Sequence, residues 1–399
     1  MKNRLLILII LIAISGCNFS SAQDFARSTP PLPTPTPFLT FTPSPIPTVT
    51  LSPAPTLTPT FPPYTGEPFS IVFVRDRNLW IANIKEKVTE LQLTFEPQEM
   101  RIISYDISPD GTRIVYIPYQ LEPLNSLIKL VEISTGETRV ILGENDPFSE
   151  VHVVWLGNTK IAYKNQDHLA SSFVTQRVDN IITYIIYDLP TKRQLEITNF
   201  DFISPSPDKR FWLTCIGHVE GCHTFTLHNL ENGQEQMTGE NLKWVHFMKW
   251  SPDTKFMLFD TVDSPDDCTG QLVLINTETL EERMITPEDK DAGDAEISPS
   301  GESLVYRQTD VVNFNTCERG EDNYWLMNMI DFKAQKIPID FEKSVWNVNW
   351  TPDGKRLIFF YDNYGGGREH DLWSINMDGS GLKPMLANVE EFRVLSNIP

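Results

Sequence analysis

A four-residue turn, flanked on both sides by strand-forming residues, recurs along this 399-residue chain and constrains its fold more than any other feature. Its fullest copy is Tyr105-Asp106-Ile107-Ser108-Pro109-Asp110-Gly111-Thr112-Arg113-Ile114-Val115-Tyr116. Ser at the first turn position can bond the local backbone, Pro presets φ at the second, Asp is tolerated at the third, and Gly favours the fourth. The unit returns at Pro207-Asp208, Trp250-Ser251-Pro252-Asp253, Ser298-Pro299-Ser300-Gly301 and Trp350-Thr351-Pro352-Asp353-Gly354. From Pro109 the successive turn prolines are 98, 45, 47 and 53 residues apart. The first gap spans two repeats, and its missing member is Trp155-Leu156-Gly157-Asn158-Thr159-Lys160-Ile161-Ala162-Tyr163, which keeps the strands and a Gly-Asn turn without the Pro.

A period near 45 to 50 residues with four strand-like runs per unit is the signature of propeller blades. In one unit the runs are Trp346 to Trp350, Arg356 to Tyr361, Asp371 to Met377 and Leu382 to Leu386, an antiparallel meander. Before the first full unit, Ile71 to Val74, Leu79 to Ile84 and Leu91 to Thr94 supply only three strands, and Glu391 to Leu395 supplies one more after the last unit. The two ends are therefore expected to complete one blade together, which removes exposed sheet edges. The expected fold is all-β, a seven-bladed propeller over residues 68–399, or six blades if the degenerate unit around Leu156 is not a blade.

The Trp-Ser/Thr-Pro-Asp-Gly turn, together with Asp371-Leu372-Trp373-Ser374-Ile375-Asn376-Met377-Asp378-Gly379, resembles the TolB-type, tryptophan-aspartate-like propeller repeats of bacterial envelope proteins. The resemblance implies the fold over roughly residues 68 to 399 and no particular activity, because propellers host many functions. The α/β domain that precedes the propeller in TolB has no counterpart here, so the resemblance does not imply a Tol-system role.

Residues 1–16 read as an export signal: Lys2 and Arg4 precede an apolar run from Leu5 to Ile14. That run is far shorter than the ~20 residues a spanning helix needs. It ends in Ile14-Ser15-Gly16-Cys17, which resembles the lipobox of bacterial lipoproteins and implies a lipid-bearing Cys17 at the mature N-terminus. Two or more acyl chains, at about 0.8 kcal/mol per buried methylene, give stable anchoring. Loss of Lys2 and Arg4 takes the formal charge from −20 to −22, so lipid rather than charge would hold the body at an anionic membrane. Within residues 17–67, Ser28 to Gly66 carries no charge and is dominated by Pro and Thr, a polyproline-like stalk that cannot form a core. At about 3.1 Å per residue it could hold a domain on the order of 100 Å from the lipid. Its hydroxyls are candidate O-glycosylation sites.

The acidic balance excludes a polyanion binder, and no nucleic-acid partner is expected. No Gly-x-Ser-x-Gly elbow, His-Glu-x-x-His pair or dinucleotide fingerprint occurs, and no cofactor is called for. Cys215, His218, Cys222, His223 and His228 have zinc-like spacing, but an oxidising compartment favours disulfides, Cys215 with Cys222 and Cys268 with Cys317. Two weaker candidates are the carboxylate-rich Glu288 to Glu296 for calcium and Gly365-Gly366-Gly367-Arg368 for an anion; an acidic inter-blade connection and a hairpin loop explain them better. Aligned on the turn, the residue before it is usually apolar (Ile107, Trp155, Trp250, Ile297, Trp350), while one place earlier stand Asp106, Ser204, Lys249, Glu296 and Asn349, with Val154 the exception. Side chains alternate along a strand, so the polar set is expected to face the central channel and the Trp set to pack between blades. Asp106, Lys249, Asp294, Glu296 and Asn349 are the candidate channel residues. The expected role is a monomeric binding or scaffold module for a protein, peptide or glycan. The alternative is an envelope carbohydrate lyase or hydrolase with Asp106, Asp294 and Glu296 as acid and base.

Overall fold

Each Pro-bearing turn of the repeat is closed by its own side chains. In the first, Gly111 N donates to Ser108 O (2.8 Å), Ser108 Oγ to Asp110 Oδ1 (2.6 Å) and Arg113 N back to Ser108 Oγ (2.9 Å). The Ser/Thr-to-Asp bond recurs at Ser206, Ser251 and Thr351, and Ser300 replaces the Asp in the turn at Ser298. The fourth residue takes a left-handed conformation: Gly111, Gly301 and Gly354 lie at φ 70°, 76° and 67°. Lys209 and Thr254 occupy the same place at φ 62° and 61°, where a side chain is strained.

The structure, a computed structural model, describes residues 66–120, 125–143, 152–165, 183–198, 202–218, 221–242, 244–262, 267–339, 344–362 and 368–395. They belong to the compact unit Pro59–Pro399. Cys17, the export signal and the stalk lie outside the described residues. The described residues contain strands and turns and no α-helix.

Seven antiparallel sheets form the blades of a propeller. Blades 1 to 6 run in chain order: Arg101 to Leu142, Val153 to Thr198, Phe202 to Thr238, Trp244 to Met284, Lys290 to Lys336 and Ser344 to Val389. The unit around Leu156 is a true blade, with Val153–Trp155 as its inner strand. In blade 7 the C-terminal strand Glu391–Leu395 pairs with Phe69–Arg75, setting Phe392 opposite Phe73 and Val394 opposite Ile71. The segment Glu288 to Glu296 is not a connection: Lys290–Ile297 is the inner strand of blade 5.

The core lies between blades. Every neighbouring pair shares an apolar seam, for example Val115, Leu130 and Trp155 between blades 1 and 2, and Phe225 and Phe259 between blades 3 and 4. Leu258 with Leu304, Val305 with Phe359, Phe73 with Phe360, and Val72 with Ile114 mark the seams around the rest of the ring. The seam of blades 2 and 3, with Ala162, Tyr184 and Ile203 fully buried, is the smallest among the described residues. The expected disulfide joins Cys268 to Cys317 with Cα atoms 5.0 Å apart, tying the loops after the second strands of blades 4 and 5. Cys215 is also disulfide-bonded; the side chain of Cys222 lies outside the described residues.

Two stability outcomes follow. Phe392, 4% exposed and edge-to-face with Phe360 at 5.2 Å, is the apolar pin of the closing strand, and Phe392→Ala is expected to cost about 3–5 kcal/mol in urea unfolding. Thr254 combines the left-handed φ with a buried hydroxyl that has no hydrogen-bond partner, so Thr254→Gly is expected to raise stability by about 1 kcal/mol in the same assay.

Candidate channel site

Four of the seven inner strands end in the polar-then-apolar pair that precedes the turn; Val154 replaces the polar residue in blade 2, and Pro205 follows Ser204 in blade 3. The structure uses this pair as a lock. Trp155 Nε1 donates to Asp106 O (3.1 Å), Trp250 Nε1 to Ser204 Oγ (3.0 Å) and Trp350 Nε1 to Glu296 O (3.0 Å). Each indole thus reaches from its own blade to the second residue before the turn of a preceding one. A buried indole needs a partner for its N–H, so the bond fixes the ring's orientation as well as its burial.

The polar residues form ion pairs across blade boundaries. Lys249 of blade 4 is hydrogen-bonded to Glu296 of blade 5. Asp106 of blade 1 lies 3.7 Å from Arg393 of blade 7 and accepts from Trp155 N at 2.8 Å. These pairs stand on opposite sides of the ring. Lys209 also approaches, donating to Trp155 O at 3.5 Å; burial lowers its pKa, opposed by the charge of Asp106. Asn349 donates to Asn347 O at 3.1 Å.

Asp294 is placed differently. A bulge between Gly293 and Glu296 breaks the pairing with the second strand, and Asp294 takes φ 47°. Its carboxyl accepts from Tyr324 OH (3.0 Å) and Val348 N (3.3 Å), bridging blades 5 and 6. Burial pushes its pKa up, opposed by Lys249 and by the Tyr324 and Val348 hydrogen bonds. Bulges re-aim side chains, and the period-two alternation does not reveal them.

At the turn face, Pro109, Pro252, Pro299 and Pro352 line one cavity of about 560 Å³ together with Glu296, Asn349 and Arg393. Four turn prolines thus collar a polar floor. Arg393 escaped the turn alignment because the closing strand Glu391–Leu395 carries no turn motif; the signal was its place beside Phe392, buried on the opposite parity.

A second polar cluster lies between blades 4 and 5. Arg307 Nη1 donates to Asp291 Oδ2 (3.0 Å) and Thr309 Oγ1 (2.8 Å), and Arg319 Nε sits 3.3 Å from Asp291. Asp260, 8% exposed, leaves Oδ1 without a hydrogen bond, with His246 Nδ1 4.0 Å away. Burial first, then the neighbouring Asp291, raises the Asp260 pKa to about 7. Sequence reading missed this group because nothing marks a mid-strand Asp as buried.

The weaker candidates fare as follows. Cys215 is in a disulfide, and His228 bonds Thr214 Oγ1 (2.7 Å) and Glu235 (3.1 Å), so two members of the zinc-like set are otherwise engaged. The side chains of His218, Cys222 and His223 and residues 365–367 lie outside the described residues. Among the described residues no group of three or more His, Cys, Asp or Glu is arranged to hold a metal ion.

Asp260 gives the fold a pH dependence. With a folded-state pKa near 7 against about 3.9 unfolded, the folded chain holds the extra proton between those values, so this group's contribution is full below pH ~4 and is lost as pH rises through 7. Asp260→Asn cannot ionise. Its stability relative to the native chain is expected to rise from pH 5 to pH 8, by a few kcal/mol at most; a constant difference in urea midpoints would contradict the assignment.

No family model and no curated protein matches the chain. Among solved structures, an oligogalacturonate lyase from Vibrio parahaemolyticus is similar at TM-score 0.54 and 16% identity, over 77% of this chain and 83% of that one. An acylaminoacyl peptidase is similar at TM-score 0.51 and 12% identity, over 79% of this chain and 52% of that one. TolB from Acinetobacter baumannii gives TM-score 0.44 and 12% identity, over 82% of this chain and 65% of that one. The first two likenesses show the fold, at identities too low to carry an activity. The seven blades form the β-propeller fold that the repeat motifs imply.

Proposed function

We propose that this chain is an exported lipoprotein, anchored on the extracytoplasmic side of a bacterial membrane through acyl chains on Cys17, and that its propeller binds a protein, peptide or glycan partner at the channel mouth and adjoining loops. The observation that carries the binding role is the collar of Pro109, Pro252, Pro299 and Pro352 around Glu296, Asn349 and Arg393. An apolar rim over a few fixed polar groups suits a ligand segment with an apolar body and a polar end. The channel charges are already matched, Lys249 with Glu296 and Arg393 with Asp106, so a neutral or zwitterionic group enters without breaking a pair.

The same pairing weighs against the lyase or hydrolase alternative. General acid–base chemistry needs a carboxyl free to meet the reacting atom. Asp106, Asp294 and Glu296 each already accept from a backbone amide, a phenol or an ammonium group within the fold.

Capture from envelope extracts tests the binding role. The native propeller is expected to recover a protein or glycan that the Glu296→Gln, Arg393→Met double variant recovers at least tenfold less. Equal recovery, or none under several conditions, would overturn the role, and glycan turnover abolished by Asp106→Asn would replace it with the enzymatic one. Cys17→Ser is expected to abolish palmitate incorporation and move the protein from the membrane to the soluble fraction.

A further inference from the structure

Blades 4 and 6 align at a constant offset of one hundred residues, because Trp250 pairs with Met257 and Phe256 with Asn276, as Trp350 pairs with Leu357 and Arg356 with Asn376. Phe259 therefore matches Phe359, and both lie in the seam with the preceding blade. Two neighbours of this position differ in size. Blade 6 has Tyr361 and Trp373, rings 5.2 Å apart and edge to face, with Tyr361 buried in the seam of blades 5 and 6. Blade 4 has Thr261 and Val273 at the matching places.

Among the described residues the missing volume is not refilled. A pocket of about 220 Å³ opens there, lined by Leu242, Thr261, Gln271, Val273, Glu282 and Met284 among others. It is smaller than the ~300–1,000 Å³ of drug-sized sites. Thr261 and Gln271 face each other across the second and third strands and are 7% and 9% exposed. Thr261 Oγ1 and Gln271 Oε1 are buried without a hydrogen-bond partner. Gln271 cannot simply turn away: its Nε2 donates to Pro287 O and Lys290 O, both at 3.2 Å, which holds Oε1 in place. Two buried polar atoms left unpaired beside a cavity are a standing cost that a ligand donor can remove.

The lining also sets the chemistry of that ligand. The void lies where blade 6 carries aromatic rings, and Leu242 and Val273 give it apolar walls. Gln271 Oε1 accepts only, Thr261 Oγ1 donates or accepts, and Glu282, held by Asn241 Nδ2 at 2.8 Å, is the one charged side chain of the lining. We infer that this pocket of blade 4 is a binding site for a small aromatic amine, its ring in place of the Tyr361 and Trp373 pair of blade 6 and its ammonium group donating to Gln271 and Thr261 near Glu282. The site is separate from the channel mouth, and its occupancy does not depend on the partner proposed there.

Three probes of one size and different charge test the site on the whole propeller: phenethylamine, phenethyl alcohol and phenylacetate, followed by ligand-observed NMR titration. Phenethylamine is expected to bind in the millimolar range or tighter, at least tenfold better than phenylacetate. Glu282→Gln should weaken it about tenfold, Thr261→Val should weaken it while leaving the fold intact, and Thr261→Tyr, which restores the blade 6 residue, should abolish binding and raise the melting temperature. No binding of phenethylamine at 50 mM, the result for a pocket that holds only water, would overturn the proposal. So would an affinity equal to that of phenylacetate, or one unchanged in Glu282→Gln and Thr261→Val; these two variants decide the matter if Thr261→Tyr does not fold.

Discussion

The propeller depends on apolar burial between sheets rather than within one. A single four-stranded antiparallel blade has two faces and no partner of its own; only when each face meets a neighbour does the ring hold together, and the seams then run round all seven interfaces. That requirement makes closure decisive. Without the pairing of Glu391–Leu395 with Phe69–Arg75, blade 7 would lack its inner strand and Phe392 would leave the seam with blade 6. The last blade thus converts an open array into a ring, pairing the edge of Phe69–Arg75 and covering the faces of blades 1 and 6.

Function is drawn from what this scaffold leaves over. The inner strands give their apolar residues to the seams on both faces, which leaves the polar residues before the turns outside them. Evolution of polar residues there costs the seams nothing, and here they are matched in charge across blade boundaries. The turns add a second element. Pro presets the turn, yet four of these rings also line one cavity, so a residue suited to local geometry shapes a surface as well.

Repetition also exposes individuality. Because the blades share a register, residues at matching positions can be compared inside one chain, and departures become visible: Thr261 and Val273 stand where Tyr361 and Trp373 fill the seam, and Lys209 and Thr254 hold a left-handed turn position that Gly takes elsewhere. A closed ring distributes its stability over many seams and tolerates such local costs. Blades 4 and 5 carry several of them, the buried Asp260 with Oδ1 lacking a hydrogen bond included, and the Cys268–Cys317 disulfide ties those same two blades together.

The turn motif and its period were enough to determine the all-β class, a propeller of seven or six blades and the blade shared by the two ends, because each of these follows from local turn chemistry and the recurrence of the strands. Long-range proximity carried no such signal. The pairing of Asp106 with Arg393, in the first and last blades, the diversion of Asp294 by a bulge toward Tyr324 and Val348, and the burial of Asp260 were decided only when the ring closed and set distant strands side by side. Contacts between blades depend on which faces meet and how deeply, and that is a property of the assembled ring rather than of any one repeat.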